Sequence, residues 1–109
     1  MFNVNENSYI FEIDRKHKTH ALPKNLQFGF LHSSLGSPGE ARNRILQAIS
    51  FNNRTEISIM RFFSDGKVTQ GTVYIANKKK NIMGAFTSSV SPVSCLRKYM
   101  YKNDRWEHI

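Results

Sequence analysis

With only one cysteine, Cys95, the chain cannot form an internal disulfide, and its cysteine usage says little about compartment. A lone cysteine in an apolar-polar strand context reads as a small core residue, with no base beside it in sequence to activate a nucleophile. Long apolar runs are missing too: none approaches the roughly 20 residues that span a bilayer. The opening stretch Met1 to Asn7 is polar, so no signal peptide is expected in this sequence as given. Also absent are a nucleophile motif, paired carboxylates in a polar context and a Gly-rich phosphate loop. The expectation is therefore a protein that is not an enzyme and needs no cofactor, metal or small-molecule substrate.

Acidic residues are scarce. There are 8 Asp and Glu against 16 Lys and Arg, a formal net charge of +8. The excess is uneven: residues 1–60 hold 7 basic and 5 acidic side chains (+2), residues 61–109 hold 9 and 3 (+6). Such a field concentrates polyanions and strengthens their binding by counterion release, without identifying them. Nucleic acid, anionic lipid headgroups and an acidic partner protein all satisfy it. A hydrophobic content of 39% over 109 residues suits one folded domain, residues 1–109, with a single modest core.

Hydrophobic periodicity predicts a mainly β (α+β) fold, an antiparallel β-sandwich or partly open barrel with one short helix near residues 38–51. Tyr9-Ile-Phe-Glu-Ile13 alternates as a first strand, with Arg15-Lys-His-Lys18 as the solvated turn after it. Leu26 to Leu31 reads as a second strand with Leu26, Phe28 and Phe30 on one face, and Gly29 as a site of close backbone approach. Ser37, Pro38 and Glu40 have the spacing of a helix capping box. Ala41, Ile45, Ala48 and Ile49 then share one helical face. From Thr55 the pattern is β to the end, with turns at 64–67, 77–81, 88–94 and 102–105. Asp65-Gly66, between the runs Ile57–Phe63 and Gly71–Ala76, is a hairpin signal.

The residues Met60-Arg-Phe62, Asp65-Gly66, Gly71-Thr-Val-Tyr-Ile75, Arg97-Lys-Tyr99 and Trp106, preceded by the Leu22-Pro23 step, resemble the soluble domain of the GspH/FimT family of minor pseudopilins. The resemblance spans roughly residues 22–106. Two features depart from the family pattern: the sequence as given contains no long apolar helix, and the Gly-Arg-x-Arg step appears only as Cys95-Leu96-Arg97-Lys98. The resemblance implies a non-enzymatic subunit of a type IV pilus or type II secretion pseudopilus. Its partners would be other pilins or pseudopilins, its place the cell envelope, and its membrane attachment an N-terminal helix outside this chain. It also implies DNA capture through a basic C-terminal region.

The residues expected to meet nucleic acid are Lys78, Lys79, Lys80, Arg97, Lys98, Tyr99, Tyr101, Lys102 and Arg105, where cations alternate with rings that stack on bases while cations neutralise phosphates. Against this stands a plainer reading. The lysine run is equally a solvated hairpin tip that discourages edge pairing, Tyr99 and Tyr101 are equally core, and Trp106 closes that core. A different expectation is a small intracellular nucleic-acid-binding or regulatory protein, phage or mobile-element encoded, in the cytoplasm. A ribonuclease using His17, His20 or His32 is a third, since imidazoles and lysines suffice for metal-independent cleavage. His17-Lys-Thr-His20 has metal-like spacing, but residues three apart in an extended strand point to opposite faces.

Overall fold

The computed structural model describes residues 1–31, 36–38, 40–51, 59–89 and 95–109, and for 40–43 and 95 the backbone only. In chain order the strands are β1 (Phe2–Asn3), β2 (Ser8–Ile13), β3 (Lys16–Ala21), β4 (Leu26–Phe28), β5 (Gly36–Ser37), β6 (Glu40–Arg44), β7 (Ile49–Phe51), β8 (Gly71–Asn77), β9 (Met83–Ser89), β10 (Cys95–Lys102) and β11 (Arg105–His108). Every pairing is antiparallel. The mainly β expectation holds.

A meander β8-β9-β10-β11 forms most of the large sheet, and the far edge of β8 is shared by two short strands. Strand β7 pairs with residues 71–73 and β4 with residues 75–77. Tyr74 sits where the partner changes: its N–H donates to the Ala48 carbonyl at 2.8 Å and its carbonyl accepts from the Gly29 N–H at 3.0 Å. No backbone group is lost at the junction, which an interior strand requires. At the start of β8, Gly71 lies opposite Phe51. A Cβ there would collide with the Ser50 carbonyl oxygen and come within 2.6 Å of the Phe51 Cα, so only glycine allows this approach.

Because side chains alternate across a strand, the sheet carries a separate core on each face. One face packs Tyr74, Met83 and Ala85 with Ile45, backed by Phe30, Leu31, Tyr99, Tyr101 and Trp106. The other packs Val73, Ile49, Phe51 and Phe28 with Phe2, Tyr9, Leu22 and Met60. Met83 is fully buried and Ser88 donates from its hydroxyl to the Thr69 carbonyl at 2.5 Å.

No helix occurs among the described residues, which corrects the helix expected near 38–51. Ser37 pairs with Glu40, and as a sequence Ser-Pro-Gly-Glu suits a reverse turn as much as a capping box. Ile45 and Ile49 are four apart not because they share a helical stripe but because they serve opposite faces of the sheet. The same rim crossing separates Phe28 from Phe30, expected on one face and found in different cores. Gly29 has open space around a Cβ position, so no backbone crowds it.

Residues 16–18 belong to strand β3 rather than to a turn; the turn is Asp14-Arg15, both at positive φ (51° and 67°). Gly66, at φ 89°, closes a small hairpin in which Phe62 bridges Val68 and the Phe63 N–H donates to the Lys67 carbonyl at 2.8 Å. This hairpin is shorter than expected, since β8 pairs with β4, β7 and β9 instead. Of the expected first run, residues 57 and 58 lie outside the described residues, as do residues 90–94 of the expected 88–94 turn.

Candidate nucleic-acid interface

The register of the meander decides which cations meet. Trp106, Tyr101, Met83 and Ala76 form one row across β11, β10, β9 and β8. One step further out lie Arg105 and Lys102, paired with each other, and Asn77, paired with Leu26. Beyond that row the chain turns at 78–81 and at 103–104 on the same end of the sheet. The Leu22–Leu26 connection arrives there too, held by a 2.9 Å bond from the Lys78 N–H to the Asn25 carbonyl. Lys24, Lys78, Lys79, Lys80, Lys102 and Arg105 therefore converge on one edge, all exposed.

The lysine turn is built rather than loose. The Asn77 side-chain oxygen accepts from the N–H groups of Asn81 (3.0 Å) and Ile82 (3.1 Å), and its amide nitrogen donates to Asn81 Oδ1. Within the turn the Lys80 N–H donates to the Asn77 carbonyl at 2.9 Å, and Lys80 takes φ 54°. An asparagine that satisfies turn N–H groups locally fixes the turn, and the three lysines on it are exposed. Among acids, Asp104 is at the tip of the neighbouring turn, and Glu107 engages Arg105 (Nε 3.1 Å, NH2 3.1 Å). Both members of that pair are exposed, so it holds the guanidinium weakly.

The remaining expected residues do not join this edge. Arg97 and Lys98 lie further along β10, toward its start, and point to opposite faces, Arg97 opposite Thr87 and Lys98 opposite Phe86. Tyr99 and Tyr101 are half-buried against the core, in edge contact with Trp106 at 6.5 and 5.3 Å. Trp106 in turn donates from its indole N–H to the Gly36 carbonyl at 2.9 Å. These rings serve packing. Lys24 went unremarked in sequence; its only signal was the Leu-Pro-Lys-Asn-Leu step, whose neighbour Asn25 ties it to the lysine turn.

His17 and His20 do not converge either. His17 is opposite Glu12 and exposed, whereas His20, on the other face of β3, stacks on Tyr9 at 5.1 Å. His32 lies outside the described residues. No protein-family model, curated protein or solved structure matches the chain.

Proposed function

We propose that this chain is a non-enzymatic soluble domain of the minor-pseudopilin type, which holds DNA by its phosphates against the basic end of its large sheet. The observation that carries the DNA reading is the convergence of Lys24, Lys78, Lys79, Lys80, Lys102 and Arg105 through the strand register. Five strands at about 4.8 Å spacing give an edge of about 19 Å, long enough to lie along several phosphates of a duplex. With Tyr99 and Tyr101 half-buried against the core, cations rather than rings dominate the edge, which favours backbone contact without sequence preference.

The pseudopilin reading is supported by where its motif residues fall. Gly71–Ile75 lie in β8, an interior strand of the large sheet, Asp65-Gly66 at a tight turn, and Trp106 in the aromatic cluster. Its partners are then other pilins, and its site of action the cell envelope. The alternative, an intracellular nucleic-acid-binding protein, shares the basic edge. Crosslinking to pilin subunits in cells would separate the two.

Duplex DNA binding measured by fluorescence anisotropy across a salt series tests the interface. Affinity should fall with a log–log slope of up to about 0.9 per cation engaged. Lys78→Glu with Lys79→Glu should weaken binding to all sequences alike and flatten that slope, and Arg97→Glu with Lys98→Glu should do less. Binding that is salt-independent, or unchanged in the Lys78/Lys79 variant, refutes the assignment.

A further inference from the structure

The β2–β3 hairpin carries a feature that DNA binding does not use. On one face the register sets Phe11 opposite Lys18 and Ile13 opposite Lys16, with Tyr9 opposite His20 at the base. Only the base is packed: Tyr9 contacts Phe2 and His20. Outward along the same face Phe11 is 51% and Ile13 57% exposed. Their side chains border a shallow cleft of about 320 Å³ that Asp14, Lys16, His17 and Lys18 also line. An apolar stripe thus runs off the core into solvent and is flanked by two ammonium groups.

We propose that this hairpin face seats on an anionic lipid surface, with Phe11 and Ile13 entering between headgroups and Lys16 and Lys18 on the lipid phosphates. Apolar side chains bordered by lysines match an interface whose interior is apolar and whose surface is negative. Of the acids of the hairpin, Glu12 points to the other face, opposite His17, and Asp14 lines the cleft at the turn beside Arg15, a single carboxylate against Lys16 and Lys18. A second copy of the chain fits the face poorly, because a two-fold contact of this face with itself brings the lysines toward each other on a chain of net charge +8.

The test is co-sedimentation of the chain with vesicles of equal parts phosphatidylglycerol and phosphatidylcholine. Phe11→Ser with Ile13→Ser keeps every charge and alters only exposed side chains. It should weaken vesicle binding about tenfold while leaving duplex DNA binding and the far-ultraviolet spectrum unchanged. A Phe11→Trp variant should be quenched by brominated lipid more than the parent, whose Trp106 is half-buried in the core. Vesicle binding that survives the double substitution overturns the proposal, because it is then general attraction to the basic surface. Absence of binding by the parent also overturns it and leaves the face to an acidic protein.

Discussion

Hairpins β2–β3 and β10–β11 are closed in the same way and end differently. Each turns on two consecutive residues at positive φ, Asp14-Arg15 in one and Asn103-Asp104 (54° and 61°) in the other, the conformation whose twist suits a two-residue hairpin. The second lies in the large sheet with Trp106 against Tyr74, Tyr99 and Tyr101. The first leaves Phe11 and Ile13 in solvent beyond its base. Turn chemistry therefore makes a hairpin, and what its faces meet decides whether it belongs to the core.

The largest expected effect is at the docked hairpin. Trp106→Ala removes a ring contacting three tyrosines and the bond to Gly36, and should cost about 3 kcal/mol in urea unfolding; a loss below about 1 kcal/mol would erase the contrast between the hairpins. Next is Tyr74, whose hydroxyl is pushed from the usual 10.0 up to about 12 by burial. The folded value exceeds the unfolded one, so its contribution is complete below pH 10.0 and is lost as pH rises through the folded value. Discounted for solvent screening, the loss is on the order of 1 kcal/mol. Tyr74→Phe should remove that part of the alkaline decline, and identical pH curves for parent and variant would contradict it.

A smaller effect isolates the turn from the packing. In the 61–69 hairpin, Gly66→Ala meets no neighbouring atom within 4 Å but must hold φ 89°, which should cost about 1 kcal/mol. A thermal melt with no shift would deny the turn any stabilising role. Phe11→Ser should stay within about 0.5 kcal/mol of the parent, and a cost near that of Trp106→Ala would place the projecting hairpin in the core after all.

Much of the meander was legible in sequence. The run at 71–76 located β8 and the turns expected at 77–81 and 102–105 bracket β9 and β10, although residues 88 and 89, expected in a turn, belong to β9; the lysine run was expected at a hairpin tip, where residues 78–80 do lie. Strand β3 was not legible, because Lys-His-Lys-Thr-His-Ala is largely solvated and its strand character comes from pairing with β2. The 38–51 region misled because a chain crossing a sheet rim buries Ile45 on one side and Ile49 on the other, imitating a helical spacing. Of the expected interface, Lys78–Lys80, Lys102 and Arg105 come together while Arg97 and Lys98 diverge. Only cross-strand register separates these groups, and composition does not encode it.

The junction at Tyr74 bears on how this architecture tolerates change. The chain leaves the sheet at Gly29 and rejoins it at Ala48, and both ends of that excursion are hydrogen-bonded to a single residue. The ends of residues 30–47 are thus held together whatever lies between them. Doubling the length of such a closed segment costs only about 0.6 kcal/mol of chain entropy. Added residues need only spare Phe30, Leu31, Ile45 and the Gly36 carbonyl, which cover one face of the sheet. Insertions here should be accommodated with β4, β7 and β8 still in register, which makes this excursion the natural place for the domain to acquire new surface.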